Sequence, residues 1–97
     1  MGHDGAMRRV HVLVRGRVQG VGYRYTAAMF AKRFGVAGWV RNLTDGAVEA
    51  EVEGSTADVD QLLEWMAHGP PGARVDDLDV SEIDECGQIG FEVRESS

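Results

Sequence analysis

Residues 15–24 hold three glycines (Gly16, Gly20, Gly22) and three arginines (Arg15, Arg17, Arg24). They follow an alternating apolar run, Val10, Val12 and Val14, and precede a helical pattern that begins at Tyr23. A loop between a strand and a helix N-terminus presents unpaired backbone N–H groups, and the helix dipole there favours an anion. Glycines let successive amides turn toward one point and form a concave nest. Arg24 falls in the first helical turn, where the dipole disfavours a cation, so a bound anion is the natural offset. No Gly-Lys-Ser/Thr follows, which excludes a nucleotide P-loop. The glycine spacing also fails the dinucleotide fingerprint. On spacing alone, an anion site and a solvated surface loop stand about level.

The elements that position this loop follow from periodicity. Residues 7–15 alternate as a strand, with His11 on the face opposite the valines. Residues 23–34 carry Tyr23, Ala27, Phe30, Ala31 and Phe34 on one helical stripe. Lys32 and Arg33 complement the dipole at its end, and Gly35 suits the C′ position. Residues 36–43 are a second strand. Thr44, Asp45 and Gly46 form a hairpin turn, and residues 47–53 return. In the return strand Val48, Ala50 and Val52 point inward, while Glu49, Glu51 and Glu53 point to a face expected to be solvated. Ser55 is an N-cap, with Asp58 in the first turn of a helix bearing Val59, Leu62, Leu63 and Met66. Trp65 shields the edge of that helix. His68 to Gly72 stop it in a rigid turn. Part of residues 73–84 is strand, residues 85–88 are a turn, and residues 89–94 are a short last strand with Phe91 and Val93 inward. The order is the split βαβ, ferredoxin-like plan. The expected fold is therefore α+β: a βαββαβ sandwich with two helices on one face of an antiparallel sheet and a short extra C-terminal strand.

A chain of 97 residues suits one small domain, expected over residues 7–97 after a flexible leader at 1–6. The first 41 residues carry eight basic groups and one acid, a balance of +7; the remaining 56 carry two basic groups and fifteen acids, a balance of −13. A net charge of −6 argues against general nucleic-acid binding, which needs broad phosphate neutralisation. No segment has the length of a membrane span or the layout of a secretory signal, and with one cysteine a cytoplasmic location is the default expectation; a monomer is expected as well. Cys86 is the single cysteine. It excludes an internal disulfide, and in a turn without a neighbouring base it is no nucleophile. No His, Cys or carboxylate stands at ligand spacing from His68, so no metal is expected.

In a split βαβ unit, strands one and two run the same way and end at the same edge. Arg24 and Asn42 should therefore face each other across a small cleft. At this point a resemblance is specific. Gly16, Val18, Gln19, Gly20, Val21, Tyr23 and Arg24 resemble the first signature of the acylphosphatase family, and Gly38, Trp39, Val40, Arg41, Asn42, Gly46, Val48 and Gly54 resemble the second. The resemblance covers about residues 7–94, and the length fits a stand-alone enzyme. It implies hydrolysis of a small-molecule acyl phosphate to a carboxylate and inorganic phosphate, with no cofactor and no metal. Arg24 would bind the phosphoryl group, Asn42 would orient the attacking water, and the backbone amides of Gln19, Gly20, Val21, Gly22 and Tyr23 would hold the phosphoryl oxygens. The tail departs from the family, with Arg94 and Glu95 where relatives often place an aromatic. The runner-up is a non-catalytic anion-binding module on the same fold. An RNA-binding sheet fits poorly, since glutamates stand where aromatics are needed. An acylphosphatase-like segment of a larger carbamoyl-transferring maturation protein is set aside on length.

Overall fold

Alternation of valine with polar residues dictates which face of the first strand is buried. A computed structural model describes residues 6–96. In it β1 (Met7–Arg17) buries Val10, Val12 and Val14 completely. Each fully buried aliphatic side chain stabilises the fold by about 1.5–3 kcal/mol. The strand runs two residues past the expected end, through a bulge at Arg15/Gly16. Helix α1 (Tyr23–Phe34) follows, then β2 (Ala37–Asn42), β3 (Val48–Ser55), α2 (Thr56–Met66), β4 (Arg74–Ile83) and β5 (Phe91–Val93). The five strands form one sheet in the order β4-β1-β3-β2-β5. The expected leader, residues 1–6, lies outside the described residues except for Ala6, whose carbonyl accepts from Thr56 N.

Both helices cover the face that carries the valines. Tyr23, Ala28 and Ala31 of α1 and Val59, Leu62 and Met66 of α2 join Val40, Val48, Ala50 and Val52 in one core. Phe30 and Phe34 are half-buried at its margin, and Trp65 closes the gap by packing on Tyr23 and Phe30. Helix α1 stops at Gly35, whose left-handed backbone lets its N–H reach the carbonyls of Ala31 and Lys32. Helix α2 starts as expected, with Ser55 Oγ accepting from Asp58 N at 3.1 Å. Gly38 is required by its neighbour strand, because a Cβ there would sit 1.9 Å from the Glu51 carbonyl oxygen.

Two expectations change. The sheet is not wholly antiparallel: β4, β1, β3 and β2 are, but β5 pairs parallel with β2. The cause is connectivity. Strands β4 and β5 lie at opposite edges, so residues 84–90 must cross the sheet. Seven residues reach about 24 Å at most, against about 19 Å for four strand spacings, leaving little slack. The crossing also corrects the face carrying Glu49, Glu51 and Glu53, which is not simply solvated. Glu53 is only 6 % exposed and lies against Arg9, itself 4 % exposed. The Arg9 guanidinium donates to Glu53 at 2.9 Å and to Glu51 at 2.8 Å. Glu53 also accepts from the N–H groups of Cys86 and Gly87, both at 3.0 Å. Gln88 completes the anchor by donating to the Gly38 carbonyl at 2.7 Å. Further along, Glu49 bonds His11 and Arg41. Trp39, also on this face, is covered by the Arg41 and Arg94 guanidinium groups, 5.4 and 4.7 Å from its ring centroid. The outer strand β4 exposes Asp76, Asp77, Asp79 and Glu82.

The Cys86 amide, followed by Arg9 and the Gly87 amide, holds the Glu53 carboxyl below the usual carboxylate range, against the opposing effect of burial. The unfolded chain therefore binds that proton more readily. The stabilisation is complete above the unfolded value, about 4.3, and is lost as pH falls through the lower folded value. Glu53→Gln is expected to cost about 3 kcal/mol in urea unfolding at pH 7. The gap to the unsubstituted chain should narrow steadily below pH 4, and an equal gap at pH 7 and pH 3 would count against this role.

Candidate active site

Strands β1 and β2 run the same way with β3 between them, so the loop leaving β1 and the last residue of β2 meet at one edge. A cleft of about 150 Å³ opens there, lined by Val18, Gly20, Gly22, Tyr23, Arg24, Tyr25 and Asn42. Arg24 and Asn42, separated by eighteen positions of sequence, thus share one cavity.

The loop is built to leave its amides free. Gly20 and Gly22 both adopt left-handed backbone, at φ 77° and 79°, and nothing stands where a Cβ of Gly20 would project. Gly22 is the N-cap of α1 and supplies no side-chain cap, and the first turn contains no acid. Residues 19–22 form a turn, and among the described residues no close, well-aligned hydrogen bond to a protein acceptor engages the N–H groups of Gln19, Gly20, Val21, Gly22 or Tyr23. A helix N-terminus left uncapped, with a cation in its first turn, is an anion-binding geometry.

The predicted residues divide their labour in the structure. Gly20, Gly22, Tyr23, Arg24 and Asn42 line the cleft. Val21 turns its side chain to the margin of the core. The Tyr23 ring points inward and its hydroxyl donates to the Met66 carbonyl at 2.7 Å; burial raises its pKa, so it stays a neutral donor. Gln19 turns away from the cleft. Its carboxamide Nε2 donates to the carbonyls of Leu43 and Ala47, both at 2.8 Å, fastening the loop to the β2–β3 hairpin directly beside Asn42.

Two features bear directly on chemistry. The Asn42 Oδ1 atom is buried and has no hydrogen-bond partner. A buried acceptor without a partner costs about 1–3 kcal/mol, and Asn42 is also one of the residues that line the cleft. The Arg24 guanidinium donates to the Arg94 carbonyl at 3.1 Å. Sequence reasoning missed that contact, as it missed the Gln19 brace, because each joins segments whose proximity only the fold creates. The departure in the tail also finds its place here. Strand β5 lays Arg94 beside the cleft, with its N–H donating to the Val40 carbonyl at 2.8 Å. Together the amide row and the guanidinium offer several donors to a tetrahedral oxyanion, and Asn42 offers an acceptor next to it.

Comparison with known proteins finds likeness in sequence and in fold. The family model described as Acylphosphatase matches residues 10–93. A protein from Anaeromyxobacter dehalogenans named Acylphosphatase is 54 % identical over 87 residues, covering 89 % of this chain and 94 % of that one. One from Methylococcus capsulatus with the same name is 57 % identical over 83 residues, covering 86 % and 90 %. The structure of an acylphosphatase from Coxiella burnetii superposes with a TM-score of 0.87 at 36 % identity, covering 91 % of this chain and 93 % of that one.

The brace makes its own prediction. Gln19→Ala removes two hydrogen bonds, each worth about 1 kcal/mol. A loss of about 1–2 kcal/mol in urea unfolding is expected, and a loss below about 0.3 kcal/mol would show that the loop is fastened by other means.

Proposed function

The chain belongs to the acylphosphatase family and hydrolyses acyl phosphates to a carboxylate and inorganic phosphate, and we propose that Arg24, Asn42 and the amides of residues 19–23 carry that reaction. The observation that carries this assignment is that Arg24 and Asn42, from separate segments, line one cleft beside the glycine loop. In the proposed complex the phosphoryl oxygens accept from the N–H groups of Gln19, Gly20, Val21, Gly22 and Tyr23, and the Arg24 guanidinium lies against the same group. Asn42 Oδ1 accepts one O–H of water and aims its lone pair at phosphorus. The P–O bond to the acyl carboxylate breaks as the water oxygen attacks. The carboxylate leaves with the electron pair, and the water proton passes to a phosphoryl oxygen.

Positioning and charge stabilisation suffice for this chemistry. A carboxylate is a good leaving group and needs little help from an acid. Asn42 has no proton to give or take at neutral pH, so no side chain serves as base. On the same grounds the reaction is proposed to need neither metal nor cofactor. The unit spanning residues 7–97 is proposed to act as a cytoplasmic monomer on small molecules. Nucleic acid is not a proposed partner, because the open sheet face carries the Arg9, Glu51 and Glu53 cluster and its Trp39 is already covered by the Arg41 and Arg94 guanidinium groups.

A non-catalytic anion-binding module is the competing reading, and a second cation would serve it better than Asn42. Turnover of benzoyl phosphate by purified protein in the presence of a chelator separates the two. Arg24→Ala is expected to weaken inorganic phosphate inhibition and to abolish nearly all turnover. Asn42→Ala is expected to keep phosphate inhibition and to lose about 100–1000-fold in kcat; near-normal kcat would remove Asn42 from the mechanism. The rate should show no inflection from a protein group between pH 6 and pH 8. A titration near pH 7 that disappears on substitution of one side chain would replace the substrate-borne proton acceptor with that residue.

A further inference from the structure

The cleft measures about 150 Å³, about half the lower limit of pockets that enclose a whole organic ligand. It matches a phosphoryl group, so the acyl part of the substrate must project past the rim. Most lining residues have nothing to offer it. Gly20 and Gly22 have no side chain, Val18 is buried, and the Tyr23 ring is committed to the core. Arg24 and Asn42 are assigned to the phosphoryl group and the water. Tyr25 is the remaining lining side chain, and it is 67 % exposed. Its ring lies 5.6 Å from the Arg24 guanidinium carbon, within cation–π range, which keeps the ring beside the phosphoryl position. One helical turn on, Met29 is 48 % exposed. Residues four apart share one helix face, so Tyr25 and Met29 form an apolar stripe leading outward from the mouth of the cleft.

We infer that this Tyr25–Met29 stripe seats the acyl portion of the substrate and biases the enzyme toward acyl phosphates with an aromatic or extended apolar acyl group; the inference rests on the acyl phosphate reading above. An aromatic acyl group gains by stacking or edge contact with Tyr25, and the thioether of Met29 adapts to its outer end. An acetyl group is too short to gain from either.

The test compares kcat/KM for benzoyl phosphate and acetyl phosphate in the unsubstituted protein, Tyr25→Ala, Tyr25→Phe and Met29→Ala, with the inhibition constant of inorganic phosphate measured in each. Tyr25→Ala should lower the benzoyl-to-acetyl ratio about tenfold, the equivalent of one aromatic contact. Tyr25→Phe should restore the ratio, and Met29→Ala should lower it by about threefold. A ratio that stays within twofold in Tyr25→Ala overturns the inference. So does a phosphate inhibition constant that rises in step with both KM values, because Tyr25 would then act through Arg24. If the unsubstituted protein turns over neither substrate, the acyl phosphate reading falls, and this inference with it. If acetyl phosphate is hydrolysed and the ratio does not move, only the acyl seat falls.

Discussion

Five consecutive backbone N–H groups that, among the described residues, make no close and well-aligned hydrogen bond to a protein acceptor, at the start of a helix with a cation in its first turn, are the constraint that orders this molecule. Such groups cost free energy in a dry interior, so the fold keeps them at the mouth of a cleft. Gly20 and Gly22 let the row curve, and Val18 below it anchors the loop in the core. Gln19 spends its own carboxamide on the neighbouring hairpin, so the curve keeps its shape without any group entering it. Arg24 is steadied from the other side by a carbonyl of the tail. The result is a set of donors whose positions are fixed before a ligand arrives, which is the condition for electrostatic stabilisation at little cost in reorganisation.

Much of this was legible in the sequence, for local reasons. The bounds of α1 follow from its stripe, its basic last turn and Gly35, and those of α2 from Ser55 and the turn after it. The convergence of Arg24 and Asn42 follows from the split βαβ order alone. What could not be read depends on contacts between distant segments. Alternation places Glu53 on the outer face, and nothing nearby signals that residues 84–90 fold across it and bury it. The same crossing turns β5 parallel, a direction set by which edge the chain must reach. The role of Gln19 was likewise hidden, because its family signature explains the backbone and says nothing of where the carboxamide goes.

The crossing segment ties remote parts of the chain to the cleft. Glu53 and Gln88 hold it down on the open face, β5 then zips along β2, and Arg94 arrives beside Arg24. A buried carboxylate on one side of the sheet therefore stands at the root of a segment that ends beside Arg24 at the cleft. The crossing spans the sheet with few residues to spare and is anchored by Glu53 and Gln88.

The edges of the sheet have a further consequence. Both margins of the sheet are edges: β5 is a short one of three residues, while β4 presents ten residues along the other. An open margin of this kind invites a strand from another copy. The acids along β4, of which Asp77 and Asp79 pair with no cation among the described residues, would bring like charges together in any such pairing and so oppose it. The surplus of carboxylates in the second half of the chain thereby acts as a guard against fibre growth, a task unrelated to catalysis and one that leaves the basic cleft untouched.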